Sequence, residues 1–191
     1  MTPTARFEDA LAWAAHLHRD QVRKGSNVPY VSHLLGVASL AIEAGATEDQ
    51  AIAALLHDAV EDQGGAPRLA EIRERFGETV AGIVAGCSDS DVTPKPPWRA
   101  RKEQYLAHLP QAGPGVLLVS ACDKLHNARS ILADYRTHGE ELWSRFTGGR
   151  EGTLWYYRAV LDAYRSAGLS GFLIDELQRT VDELHELAGA R

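Results

Sequence analysis

The chain has 191 residues and a formal net charge of −6, from 20 lysines and arginines against 26 aspartates and glutamates. Hydrophobic residues make up 45% and charged residues 24%, an ordinary globular composition that excludes a disordered chain. The acidic balance argues against a nucleic-acid-binding surface, and no apolar run approaches the roughly 18 residues of a membrane span. Cys87 and Cys122 show no paired spacing, so neither a disulfide framework nor a thiolate zinc site is expected. The N-terminal MTPTARFEDALAWAAHLHRD lacks an uninterrupted apolar stretch, which excludes a secretory signal and makes a reducing cytoplasm the expected compartment. On a soft prior of about 150 residues per domain, 1–191 is expected to be a single domain.

Phe7, Leu11, Ala14, Ala15 and Leu17 recur at helical spacing and predict a first helix over 7–20 with Thr4 as N-cap. Gly25, Asn27 and Pro29 interrupt the chain before a second helix over 30–45, closed by Gly45. Thr47 with Gln50 resembles a capping box and opens a third helix, which runs through AIAALLHDAVED and stops before Gly64-Gly65. A helix from Pro67 ends at Gly77, and a short one over ETVAGIVAGC follows. The stretch 88–98 holds three prolines with Ser and Asp and is expected to be the main loop. Further helices are predicted over 99–109, 115–136, 151–167 and 170–188. No alternation persists long enough for a strand. The predicted fold class is all-α.

One segment concentrates chemistry. If 47–62 is one helix, His57, Glu61, Asp58 and Asp62 fall at about 0°, 40°, 100° and 140° around it, opposite Ile52, Leu55, Leu56, Ala59 and Val60. Lys and Arg are absent from 47 to 67, so the acids lack helical partners and repel one another. A divalent cation would remove that cost; a solvated acidic face is the alternative. Asp123 follows the apolar run VLLVSAC, and a carboxylate buried there must meet either a salt-bridge partner or a metal. His33 lies on an apolar helix, as a packed core residue or as a ligand. His16 and His18 point about 200° apart on a helix, so one is expected to be packed and the other exposed.

Taken in order, His33, His57-Asp58 and Asp123 resemble the HD-domain metal phosphohydrolases. The resemblance is sharper to the RelA/SpoT-type hydrolase domain and the small alarmone hydrolases. It rests on Arg23-Lys24 before Pro29-Tyr30-Val31-Ser32-His33, on AALLHDAVED at 53–62, on Phe76-Gly77-Glu78-Thr79-Val80-Ala81, and on Asp123-Lys124-Leu125-His126-Asn127. It covers roughly 7–165. The family's usual His-Pro is His33-Leu34 here, and the Thr often found after its His-Asp is Ala59. The loop 88–98 and the tail after 165, with its predicted helix over 170–188, do not visibly match.

The resemblance implies a single-domain HD-type helical bundle holding one divalent ion per chain, Mn²⁺, through His33, His57, Asp58 and Asp123. The mixed nitrogen and oxygen set without thiolate suits such an ion. It further implies that Glu61 and Asp62 orient or deprotonate the attacking water, and that Arg23, Lys24 and Asn127 contact substrate. The implied reaction is hydrolysis of the 3′-pyrophosphate of a guanosine or adenosine alarmone, a small-molecule nucleotide, with no nucleic-acid or membrane partner. The alternatives are an HD phosphohydrolase acting on another phosphorylated metabolite, or a non-catalytic metal-holding domain.

Overall fold

The computed structural model describes residues 1–88 and 96–189; the loop expected over 88–98 therefore falls mostly outside the described residues. The all-α expectation holds. Among the described residues the one β feature is an isolated antiparallel bridge between Val22 and Pro29. The chain divides into two compact units, Met1–Lys95 with Gly113–Cys122, and Pro96–Ala112 with Asp123–Arg191.

In the first unit, α1 (Ala5–Leu17) starts where Thr4 accepts a hydrogen bond from the Arg6 backbone N–H, as its sequence position predicts. The helix stops at Leu17, three residues early, because the chain turns back with Gln21 N–H donating to the His18 carbonyl at 3.0 Å. Helix α2 (Val31–Glu43) ends before Gly45, whose φ of 82° suits a residue without Cβ. The Thr47–Gln50 capping box forms in full and opens α3 (Glu48–Leu56).

Ala51 through Leu56 are all buried, because α3 packs against α1, α2 and α6 (Glu78–Cys87). Alanines on three of those six positions let neighbouring helices approach, while Ile52, Leu55 and Leu56 supply apolar burial of roughly 1.5–3 kcal/mol each. Helix α5 (Gly65–Phe76) begins two residues before Pro67. A proline within a first turn costs no intrahelical hydrogen bond, because the first amides lack partners in any case.

The expected third helix does not run unbroken to Asp62. It stops at Leu56, and a separate turn, α4 (Ala59–Asp62), follows with His57 and Asp58 between them. A side-chain hydrogen bond accompanies the break. His57 Nδ1–H donates to the Ala54 carbonyl at 2.8 Å, the oxygen that the Asp58 N–H would use in a continuous helix.

The second unit contains α7 (Trp98–His108), a 3₁₀ turn at Leu109–Gln111, most of α8 (Pro114–His138), α9 (Gly149–Ser166) and α10 (Phe172–Gly189). A 3₁₀ stretch at Gly139–Arg145 has no counterpart among the predicted elements. Helix α10 buries Leu173, Ile174, Leu177, Thr180, Val181, Leu184 and Ala188, a single stripe at helical spacing, and α9 packs on it. At the start of α9 the Trp98 indole packs closely on two glycines, Gly148 and Gly152. A Cβ on Gly148 would come within 2.7, 2.9 and 3.0 Å of three ring carbons. The ring cannot fold away as a flexible chain end could, and alanine is also a poorer N-cap than glycine. Gly148→Ala is expected to destabilise the protein by about 1–3 kcal/mol, read as a lower urea midpoint with an unchanged slope; an unchanged midpoint would show that Trp98 repacks without cost.

Candidate functional site

The segment between α1 and α2 folds back on itself. Arg23 N–H donates to the Val28 carbonyl at 2.8 Å and Tyr30 N–H to the Gln21 carbonyl at 2.9 Å, while Gly25, at φ 76°, makes the reversal that a residue with Cβ resists. The Arg23 guanidinium carbon sits 5.9 Å from the centre of the Tyr30 ring, a cation–π distance. Lys24 is exposed at the tip.

The Tyr30 hydroxyl donates to Asp58 Oδ2 at 2.5 Å. The same oxygen lies 3.1 Å from His57 Nε2 and 3.5 Å from His33 Nε2. The two imidazoles meet edge to face with centroids 5.2 Å apart. Ligand atoms of His33, His57 and Asp58 all fall within 4.8 Å of one another, with both histidines buried. His57 Nδ1 carries the proton given to Ala54, so Nε2, which faces the carboxylate, is the nitrogen a metal would take. Two imidazole nitrogens and a carboxylate oxygen converging in this way can hold a divalent cation. The hydrogen bond at the break between α3 and α4 thus also orients the ring that could ligate a metal.

Glu61, half-buried, and Asp62, exposed, occupy the α4 turn. Asp62 Oδ2 accepts from Gln21 Nε2 at 2.8 Å, and Gln21 Oε1 contacts His18 Nδ1 and Gln63 Nε2, both at 2.7 Å. His18 is buried and His16 exposed, which agrees with the expected division between them. The His18 ring stacks on Tyr30 at 5.2 Å and 17°. Burial pushes its pKa below the usual histidine value, and the Gln21 hydrogen bond and nearby Asp58 and Asp62 offset only part of that.

Sequence reasoning assigned no role to Tyr30, Gln21 or His18. Tyr30 stands beside the first histidine in the motif but 28 residues from the carboxylate it contacts. Gln21 reaches Asp62 only because the 21–30 segment folds back.

Asp123 and Asn127 lie in the second unit. Asp123 is buried; it pairs with Lys124 and accepts from Asn127 Nδ2 at 2.5 Å. Burial is the largest single influence and disfavours the Lys124 ammonium, but Asp123 together with Tyr156, Tyr105 and Tyr164 outweighs it and keeps the lysine pKa well above its ordinary range. The salt-bridge partner left open by the sequence is thus present. Each carboxylate oxygen has more than one lone pair, so these contacts are compatible with ligation as well.

The guanosine-3′,5′-bis(diphosphate) 3′-pyrophosphohydrolase MESH1 of Danio rerio is 37% identical over 131 residues, covering 67% of this chain and 70% of the relative. The protein of the same name from Drosophila melanogaster is 33% identical over 138 residues, covering 71% and 74%. A solved structure described as a metazoan orthologue of SpoT that hydrolyses ppGpp and plays a role in starvation responses matches with a TM-score of 0.76. Its identity is 28%, over 100% of this chain and 99% of that one. Residues 10–154 match the HD domain family, a range that takes in His33, the His57-Asp58 pair and Asp123, and the chain belongs to that family.

Proposed function

We propose that the chain is a metal-dependent 3′-pyrophosphohydrolase of guanosine alarmones of the (p)ppGpp type. The observation that carries the reading is similarity over most of both chains to relatives of that name, joined to a buried two-histidine, one-carboxylate cluster. Membership of the HD domain family implies a divalent metal, and His33, His57 and Asp58 can hold one. Mn²⁺ as that ion and Asp123 as a fourth ligand belong to this proposal. Their support is the thiolate-free donor set and the order of motifs along the chain.

In the reaction, a water oxygen joins the phosphorus attached to ribose O3′, the bond to O3′ breaks, and O3′ leaves with a proton. The products are the 5′-phosphorylated nucleoside and pyrophosphate. A bound divalent ion would lower the pKa of the water and polarise the phosphoryl group. Glu61 and Asp62 take up and pass on the proton. Asn127 donates to the ribose or a phosphate. Arg23 and Lys24, at the reversal beside Tyr30, supply positive charge for the pyrophosphate, Arg23 in bidentate fashion. We take 1–191 as one functional domain acting in the cytoplasm. In support, the family match at 10–154 draws on residues of both compact units, and among the described residues no helix is long and apolar enough to cross a membrane.

Purified protein with Mn²⁺ is expected to release pyrophosphate from ppGpp but not from GTP or ATP, and a chelator should stop it. No release from ppGpp, or equal release from GTP, overturns the reading; a stronger response to the adenosine alarmone would change the base. Arg23→Glu is expected to raise KM for ppGpp by about tenfold or more, because a hydrogen bond between charged partners contributes roughly 1.5–3 kcal/mol. Metal content should not change. An unchanged KM would return Arg23 and Lys24 to an ordinary solvated pair.

A further inference from the structure

We propose that His18 is a positioning residue that locks the Gln21 carboxamide so that its NH₂ group holds Asp62; this rests on the role given to Asp62 in the proposed function. The chain of contacts has one consistent assignment of hydrogens. A carboxylate only accepts, so the Gln21 atom 2.8 Å from Asp62 Oδ2 must be the NH₂ nitrogen. Gln21 Oε1 then faces His18 Nδ1 and Gln63 Nε2, both at 2.7 Å, and both must donate. His18 is therefore the tautomer with its proton on Nδ1. Its ring is 1% exposed, and its Nε2, without a hydrogen-bond partner among the described residues, is left as a bare lone pair. Burial that favours the neutral ring agrees with that assignment.

Two donors on one carbonyl leave the carboxamide a single orientation. Turning it over would set NH₂ against two N–H groups and a carbonyl oxygen against a carboxylate. Asp62 is exposed, and an exposed carboxylate otherwise samples several rotamers. Gln21 selects one of them by holding Oδ2. His18 also stacks on Tyr30, whose hydroxyl holds Asp58. One buried ring thus braces the partner of a proposed metal ligand and the partner of a proposed base.

The two parts of that role can be separated by substitution. Asparagine places its amide nitrogen near the position of Nδ1 and can donate to Gln21, but it has no ring to stack on Tyr30. Alanine does neither. His18→Ala is expected to lower kcat about 10–100-fold with KM within about twofold, and His18→Asn to recover most of the loss. In metal-free protein, the Gln21 side-chain amide protons, assigned by their absence in Gln21→Met, should exchange slowly in wild type and His18→Asn and rapidly in His18→Ala.

Equal exchange in wild type and His18→Ala overturns the lock. So does a kcat of His18→Asn as low as that of His18→Ala, because ring packing would then be the whole role. If wild type releases no pyrophosphate from ppGpp, the proposed function fails, and the amide exchange still decides the lock.

Discussion

Asp58→Ala protein is expected to lose its divalent ion on desalting and, with it, measurable turnover. Asp58 Oδ2 sits 3.1 Å from His57 Nε2, 3.5 Å from His33 Nε2 and 2.5 Å from the Tyr30 hydroxyl, so removing it takes the shared anion from the centre of the cluster. Two buried imidazoles without the carboxylate that lies against both of them bind a hard cation weakly. Loss of a partner that only orients a ligand typically costs about 10–100-fold in metal affinity, and Tyr30→Phe, which keeps Asp58 but removes its donor, should fall in that range. Added metal should raise the melting temperature of wild type, since a ligand at 100 times its Kd stabilises the folded state by about 2.7 kcal/mol; Asp58→Ala should show no such rise. Asp123→Ala tests the fourth ligand in the same assay. Full stoichiometry in Asp58→Ala would remove that residue from the ligand set, and full stoichiometry in Asp123→Ala would leave Asp123 as the ion-pair partner of Lys124.

Most of the helices were legible because local signals decide them. Thr4 and the Thr47–Gln50 box are caps that act on amides two and three residues ahead, and Gly45 and Gly77 stand where positive φ is needed. The break at His57-Asp58 was not legible. Nothing in the apolar periodicity of AIAALLHDAVED distinguishes a histidine that bonds back to the carbonyl three residues earlier from one that continues the helix. The consequence is chemical as well as geometric: angles drawn around one continuous helix do not describe how Glu61 and Asp62 stand relative to His57 and Asp58, because Glu61 and Asp62 belong to the separate α4 turn.

The candidate cluster was legible for a different reason. Imidazole and carboxylate beside buried apolar runs carry a desolvation cost that demands a partner, and that demand is visible without coordinates. His33, His57 and Asp58 meet it together; Asp123 meets it with Lys124 and Asn127. The supporting residues left no comparable trace. His18 looks like a packed helix-end histidine and Gln21 like a loop amide until the 21–30 reversal brings them to Asp62. A side-chain hydrogen bond across 41 residues has no periodicity to read.

Glu61→Gln and Asp62→Asn are each expected to retain metal near the wild-type level and to lose about 10²–10⁴ in kcat, roughly 3–5 kcal/mol of transition-state stabilisation. Both substitutions keep side-chain volume and much of the hydrogen-bonding capacity while removing the basic oxygen. Neither residue belongs to the cluster of His33, His57 and Asp58, so metal content and turnover should separate. Asp62→Asn carries a second consequence. The Asn amide can still offer its oxygen to Gln21 Nε2, so the 2.8 Å contact survives, and any loss of rate reports missing basicity rather than a lost anchor. A merely solvated acidic face predicts almost no change in either variant, since exposed carboxylates away from chemistry contribute little to stability or rate. Turnover within a few-fold of wild type in both variants would remove these residues from the mechanism. Loss of metal in either would instead move that residue into the ligand set, and the proton would then have to be handled by another group.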